Sequence, residues 1–332
     1  PAHLALIGYD PLVHDIGLGA LSASGVGMHV AEGDVAARVN FCTLHGDGNI
    51  TDRRAVRISS GESLPLVERL QTIQIPGVEV EVRQVKEYRF AIVMRGEGLN
   101  PDLEDTDPQR TGVAPLPVKA SSPDAQHTAD LFNLWIAEAR KLLADQPKAN
   151  ALTLRGFATH PGLIPYQDAY GLRAACIAAY PMYRGVSKLV GMDVIQFEGE
   201  SPEDEFNALK GVWGDYDFFF VHIKKTDSKG EDGDFDGKAQ VIETVDSALP
   251  ALLDLKPDVL MITGDHSTPS SMRTHSWHPV PFLIWAPATV RPDSQTRFGE
   301  RACELGGLGT FSAMDTMPLS LAHANRLVKY GA

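Results

Sequence analysis

From residue 151 onward the chain repeats one device: a short apolar run, a polar break, then a stretch with helical spacing. The runs lie in ALTLRG, YGLRAACIAA, MDVIQF, YDFFFVHI, DVLMITGDH and VPFLIWAP. A strand that is apolar on both faces has to be covered on both. A mostly parallel sheet flanked by helices does this, so the pattern predicts an α/β fold.

Residues 1–150 have a different texture. DVAARVNFCTL followed by GDGN predicts a hairpin, because glycine tolerates the positive φ of a tight turn. VEVEVRQVKEYRFAIVMRG (78–96) alternates and is rich in valine, which predicts two strands. Gly98 to Pro123 is rich in Pro, Asp and Ser and is expected to be a long loop, and 127–146 has the spacing of an amphipathic helix. The change near Asn150 predicts a domain boundary, with one domain over 1–150 and another over 151–332. The 332 residues allow for two domains.

Charge narrows the function. A net charge of −13 repels phosphate backbones and anionic membrane surfaces, so neither nucleic acid nor membrane is an expected partner. No apolar run reaches the roughly 18 residues that span a bilayer. Cys42, Cys176 and Cys303 are sparse, odd in number and without paired spacing, which predicts reduced thiols and a cytoplasmic location.

The acidic segment 227–243, DSKGEDGDFDGKAQVIE, contains a match from Asp232 to Glu243 to the calcium-loop pattern D-x-D-x-D-G-x5-E. An EF-hand also needs a helix before the loop, and YDFFFVHIKKTD reads as a buried strand. The eighth loop position is Ala239, and there is no second loop to pair with. The plainer alternative is an acidic surface loop beside Lys229 and Lys238. Its place after a buried strand counts for more, because open α/β sheets bind ligands at the carboxyl ends of their strands.

The next strand, DVLMITG, leads into Asp265-His266-Ser267-Thr268-Pro269, and His275 follows in THSWHPVP. Two successive strand ends thus direct Asp227, Glu231, Asp265, His266 and His275 toward one edge. Carboxylates mixed with imidazoles suit Mn²⁺, Zn²⁺ or Mg²⁺ better than Ca²⁺. Two such ions side by side can clamp a phosphoryl group in transfer. A lone histidine such as His222 or His160 is more often a packed or surface residue than a ligand.

GDHSTP, THSWHPVP and FVHIKKTDSKGEDGD resemble the cofactor-independent phosphoglycerate mutases of the archaeal type, within the alkaline phosphatase superfamily. AHLALIGYDP, GDVAARVNF, DGNITDRRAVRI, RGFA, YGLRAACIAA, GMDVI, FGERACELGGLG and the terminal KYGA follow that family in order, so the resemblance covers essentially the whole chain. It implies an alkaline-phosphatase-like α/β domain, a mostly parallel sheet flanked by helices, with a smaller α+β domain inserted. Residues 1–150 would be mostly the insert. It further implies an enzyme of glycolysis and gluconeogenesis that interconverts 3-phosphoglycerate and 2-phosphoglycerate through a phosphoserine. Two divalent ions would assist, Mn²⁺ or Mg²⁺, with Zn²⁺ as an alternative.

On the matching positions, one ion would take Asp227, Glu231 and His275. The other would take Asp265 and His266, with an Asp and the nucleophilic Ser on a segment that would precede Pro1. Arg53, Arg54 and Arg57 would hold the small phosphorylated substrate, since guanidinium forks match carboxylate and phosphate. Arg173 stands where related enzymes keep a Lys. Three departures are visible: Glu231 replaces a usual His, Leu18 stands where an Arg is common, and Ala37 and Val39 alter a motif that usually reads FRCN. They leave two alternatives beside the mutase: a phosphohydrolase or other phosphomutase on the same scaffold, and a non-catalytic homologue that binds metal or a phosphometabolite.

Overall fold

The structure is a computed structural model, and it describes residues 2–14 and 16–327. In chain order the elements are α1 (Ala2–Leu6), α2 (Leu18–Gly25), β1 (Val35–Leu44), β2 (Ile50–Asp52), α3 (Ser60–Leu70), β3 (Glu79–Lys86), β4 (Arg89–Arg95), α4 (Gln126–Leu143) and β5 (Ala151–Ala158). Then come α5 (Tyr166–Tyr170), β6 (Ala174–Ala178), α6 (Pro181–Leu189), β7 (Asp193–Val194), α7 (Pro202–Gly211), β8 (Phe218–His222), α8 (Lys225–Asp232), α9 (Phe235–Leu253), β9 (Leu260–Thr263), β10 (Phe282–Trp285), α10 (Glu300–Glu304) and α11 (Thr316–His323). The chain divides into two units: residues 16–171 with 180–194, and the remaining described residues.

The first unit is built on an antiparallel sheet. Strand β1 pairs with β4 along one edge and β5 along the other, β3 extends the sheet beyond β4, and β2 pairs with the end of β1. Side chains alternate between faces with period two. Val35, Ala37, Val39 and Phe41 join Phe90, Ile92 and Met94 in a core with Leu66 and Leu70 of α3 and Phe132 and Trp135 of α4. Ala36, Ala91 and Val93 face the other way, against Ala23 of α2, Met28 and Val30. Helix α3 starts at a capping box: Glu62 N donates to Ser59 Oγ while Ser59 N donates to the Glu62 carboxylate.

Because β5 pairs with β1 from Ala36 to Cys42, the chain stays in the first unit as far as residue 171. The change of texture at 150 therefore falls inside this unit. Leu18 opens α2 beside Gly156, where an added Cβ would stand 2.6 Å from the Leu18 Cβ. Helices α2 and α6 cross where Gly185 meets the α2 backbone. A Cβ there would lie 2.1 Å from Leu21 O and 3.0 Å from Gly25 N.

The second unit contains one parallel pair, β6 with β8 in the register Ala174↔Phe218 to Ala178↔His222, and one antiparallel pair, β9 with β10. Ile177, Phe206, Leu209 and Leu252 form its core, with Phe219, Val221 and Leu260 packed against them. The architecture is thus mixed α/β with several sheets; β7 lies on the other side of β6 from β8, and the parallel order expected is seen in β6 with β8. Segment 264–281, between β9 and β10, contains no helix, so the chain folds straight back antiparallel; a parallel return usually needs a helical crossover. Among the described residues no helix is long and apolar enough to cross a membrane.

The α2–α6 crossing is testable. Gly185→Ala forces a methyl group onto a backbone oxygen and should lower the unfolding free energy by about 1–3 kcal/mol. An unchanged denaturant midpoint would show that the crossing has slack.

Candidate metal centre

Strand β8 ends at His222, and Asp227 lies in the first turn of the helix that follows it, α8. Strand β9 ends at Thr263, just before Asp265 and His266. An antiparallel bridge between Ser267 and Ser276 then folds the chain back. This stacks the His275 ring on His266 with centroids 3.9 Å apart. Buried Gly230 allows α8 to sit directly on this segment, since a Cβ there would be 2.3 Å from Thr268 O.

Asp227, His266 and His275 each present a ligand atom, all within 4.8 Å of one another. His275 Nε2 is 3.7 Å from Asp227 Oδ1 and 3.5 Å from Glu231 Oε1. The Thr268 hydroxyl donates to Asp227 Oδ1 at 2.6 Å and lies 3.1 Å from His266 Nδ1. The Lys224 ammonium pairs with the other Asp227 oxygen. Burial alone would raise the Asp227 carboxyl. Lys224 and Thr268 outweigh burial and hold it below the ordinary carboxylate value.

A second cluster adjoins the first. His3 of α1, His222 and Asp265 also offer ligand atoms within 4.8 Å of one another. His3 Nε2 is 3.3 Å from Asp265 Oδ2, and His266 Nε2 reaches the same oxygen at 3.1 Å. The Asp265 carboxylate therefore joins the two clusters. Burial raises its carboxyl and the Asp227 charge adds to the shift, while His266 opposes it. Burial lowers the His222 imidazole to about 3, with Lys224 adding to the shift. His3 is lowered well below its ordinary value, first by burial and then by His222. Neutral imidazole is the metal-ligating form of histidine.

The five residues expected at the strand ends all lie in this region, but their grouping differs from the one expected. His266 faces both Asp265 and the Asp227–His275 pair, and Glu231 stands at the exposed rim beside His275. His3 and His222 are additional. His222 carries a signal in the sequence, as the last residue of a buried run at a strand's carboxyl end, whereas His3 carries none.

Arg173 does not join them. Its guanidinium pairs with Asp217 at 3.0 Å, and Arg326 pairs with the same carboxylate at 3.3 Å. In the parallel register Arg173 precedes Ala174 as Asp217 precedes Phe218, at the amino ends of β6 and β8. His222 and its neighbours stand at the opposite ends.

The calcium-loop pattern also resolves differently, because most of Asp232–Glu243 is helical. Asp234 caps α9 by accepting from Gly237 N at 2.9 Å, and its other oxygen pairs with Lys229. A cavity of about 340 Å³ lined by Leu253, Trp285 and His323, among others, shares no residue with either cluster.

In the first unit, Arg53 forks onto Asp107 at 3.0 and 2.7 Å. Arg54 and Arg57 are exposed. From Ala55 to Arg57 the backbone is unusual: Ala55, Val56 and Arg57 have φ of 48°, 55° and 51°. Left-handed backbone is costly for residues with a Cβ, most of all for a β-branched one.

Adjoining carboxylate–imidazole clusters at the strand ends of an α/β protein offer donors of the kind that can hold divalent cations. Known proteins narrow that class. Residues 1–149 match the family described as 2,3-bisphosphoglycerate-independent phosphoglycerate mutase. The chain is 50% identical over 334 residues to a probable enzyme of that name from Thermosipho africanus, covering 100% of this chain and 82% of that protein. It is 49% identical over 336 residues to one from Thermus thermophilus, with the same coverage.

A solved structure of a Pyrococcus horikoshii protein superposes with a TM-score of 0.83 at 29% identity, covering 100% of this chain and 84% of that one. The cofactor-independent phosphoglycerate mutase of Thermoplasma acidophilum gives 0.72 at 27%, covering 97% and 85%. The chain belongs to the 2,3-bisphosphoglycerate-independent phosphoglycerate mutase family, whose members are isomerases. Of the motifs quoted for the resemblance, KYGA lies outside the described residues.

Two measurements follow from the arginine segment. Val56→Gly relieves the β-branched residue in the left-handed turn and should raise the unfolding free energy by about 1 kcal/mol, read from denaturant melts. A loss of stability would show that the valine side chain contributes more than its backbone costs.

The second concerns Asp107, whose side chain is 1% exposed. Burial alone would raise its carboxyl, but Arg53, a bond from Gln109 N and the Arg155 charge hold it below the ordinary value. A carboxyl lowered by folding adds stability above its unfolded pKa, and that stability is lost as the pH falls through the folded one. The wild type should therefore lose stability on acidification below about pH 3.9, and Asp107→Asn should show a shallower acid limb. Equal slopes would remove Asp107 as the cause.

Proposed function

We propose that this chain catalyses the interconversion of 3-phosphoglycerate and 2-phosphoglycerate as a metal-dependent phosphoglycerate mutase. The observation that carries the reading is the junction of Asp227, His266 and His275 with Asp265, through the 3.1 Å contact of Asp265 with His266. The donor set fits divalent cations of the Mn²⁺ or Zn²⁺ kind, because oxygen and imidazole nitrogen occur together. Asp227, Glu231, His275, Asp265 and His266 are the residues we assign to two such ions, of which Mn²⁺ and Mg²⁺ are the first candidates. When bound, they would neutralise charge on the transferring phosphoryl oxygens.

The chain's own residues prepare the site. Thr268 and Lys224 fix the Asp227 carboxylate, and the Thr268 contact at His266 Nδ1 leaves Nε2 directed at Asp265. Arg54 and Arg57 on the first unit offer exposed guanidiniums that match a carboxylate or a phosphate. Arg53 is engaged with Asp107 and positions their turn. The nucleophile in this reading is the serine that the family resemblance places before Pro1. Ser267 is not assigned that part, since its hydroxyl donates to His278 O.

The test is a coupled mutase assay on the full gene product with Mn²⁺, with Mg²⁺ and with chelator. Isomerisation supported by metal, abolished by chelator and lowered at least ~100-fold by Asp227→Asn is expected. Release of inorganic phosphate in place of isomerisation would assign the scaffold to hydrolysis, and phosphoglycerate binding without turnover would assign it to binding alone.

A further inference from the structure

We propose that Arg38, flanked by Arg89 and Arg155, forms a pocket in the first unit for one small oxyanion, a carboxylate or a phosphate group. The inference deepens the mutase reading, which leaves the substrate's anionic groups to exposed Arg54 and Arg57, but its binding test stands without that reading.

Strand register brings the three arginines together. Val35, Ala37, Val39 and Phe41 of β1 face the core with α3 and α4, so Arg38 and Asn40 follow Ala36 onto the opposite face. Arg38 stands opposite Arg155 of β5, and Asn40 stands opposite Arg89 of β4. Residues directly opposed across two strands share a face, with Cβ atoms about 4.5–5.5 Å apart. Three adjacent strands thus gather three guanidiniums on one side of the sheet.

Two of the three have partners. Arg89 donates to Glu87 at 3.3 Å and to the Tyr88 hydroxyl at 2.7 Å. Arg155 donates to Asp105 at 3.3 Å and lies 3.8 Å from Asp107. Arg38 differs: its Nε is buried with no hydrogen bond among the described residues. The Oδ1 of buried Asn40, two positions along the same face, is unpaired as well. Burial lowers the Arg38 pKa, and the charges of Arg89 and Arg155 lower it further.

A positive charge held out of water among other positive charges is destabilising unless an anion joins it. The Nε–H and Nη–H fork of a guanidinium matches two oxygens of a carboxylate or a phosphate. Rotation of the Asn40 amide would exchange its unpaired oxygen for an NH₂ donor to the same anion. Asp107 holds Arg53 by a fork and stands beside Arg155, which ties this pocket to the arginine turn. One anionic group of a small molecule in the pocket leaves Arg54 and Arg57 for another.

The rival explanation is a hydrated arginine with no ligand. The experiment is a calorimetric titration of the full gene product with inorganic phosphate and, separately, with glycerate. Chelator is present throughout, so that no metal ion holds the anion. Arg38→Met should weaken whichever anion the pocket takes by ~10–100-fold. Arg38→Lys keeps the charge without the fork and should recover only part of the loss. Wild type that binds neither anion overturns the proposal, as does Arg38→Met that binds both unchanged.

Stability gives a second readout. Without anion, Arg38→Met should unfold at a higher denaturant concentration than the wild type, because it removes a buried unpaired charge. The bound anion should raise the midpoint of the wild type alone. If Arg38→Met is destabilised or does not fold, the wild-type Arg38 Nε–H resonance decides: a shift on adding phosphate or glycerate supports the pocket, and an unshifted resonance overturns it. A protein without mutase activity whose anion binding depends on Arg38 keeps this inference and loses the mutase reading. A working mutase whose KM and anion binding ignore Arg38 does the reverse.

Discussion

A carboxylate held away from water needs positive charge or several donors, or it destabilises the fold that holds it. Asp265 is such a group: it belongs to one cluster and touches His266 of the other. Its Oδ2 is approached by His3 from one side and His266 from the other. The burial that raises its carboxyl also strengthens its attraction for a cation. Without Asp265, the Asp227–His266–His275 group and the two buried imidazoles would be unconnected neighbours.

The backbone brings this about with few devices. The parallel register of β6 and β8 places His222 at a carboxyl end. The antiparallel return after β9, pinned by the Ser267–Ser276 bridge, carries His275 back over His266. Gly230 lets α8 settle on that return, so Asp227 comes within reach of Thr268. The first unit uses local strain for a similar end. Three successive left-handed residues turn the chain so that Arg53 goes inward to Asp107 while Arg54 and Arg57 stay in water. Such strain persists only where surrounding contacts over-determine it, and the buried fork on Asp107 is one of those contacts.

The sequence made the strands legible because their signals are local. The alternation in 78–96 became β3 and β4, the GDGN turn joined β1 to β2, and each apolar run after 150 gave a strand, though of MDVIQF only Asp193–Val194. Pairing was less legible. ALTLRG looks like the runs that follow it, yet as part of β5 it pairs with β1, which no local property of residues 151–158 announces. The same holds for VPFLIWAP, whose antiparallel partner is set by the link before it. In the acidic segment the residue types were informative but their use was not. Asp234 fits a calcium loop and an N-cap equally well on paper, and the αL conformation at Gly233 decides for the cap. His3 was out of reach because it matters only through residues more than two hundred positions away.

Glu231 has further consequences at the rim. Where the sequence resemblance implies an imidazole, this chain places a half-exposed carboxylate 3.5 Å from His275 Nε2. In the proposed metal reading, the carboxylate would move that position toward harder, oxygen-preferring ions, and it adds negative potential on the open side. In that reading it would also leave more negative charge for a bound ion to offset before an anionic substrate could approach.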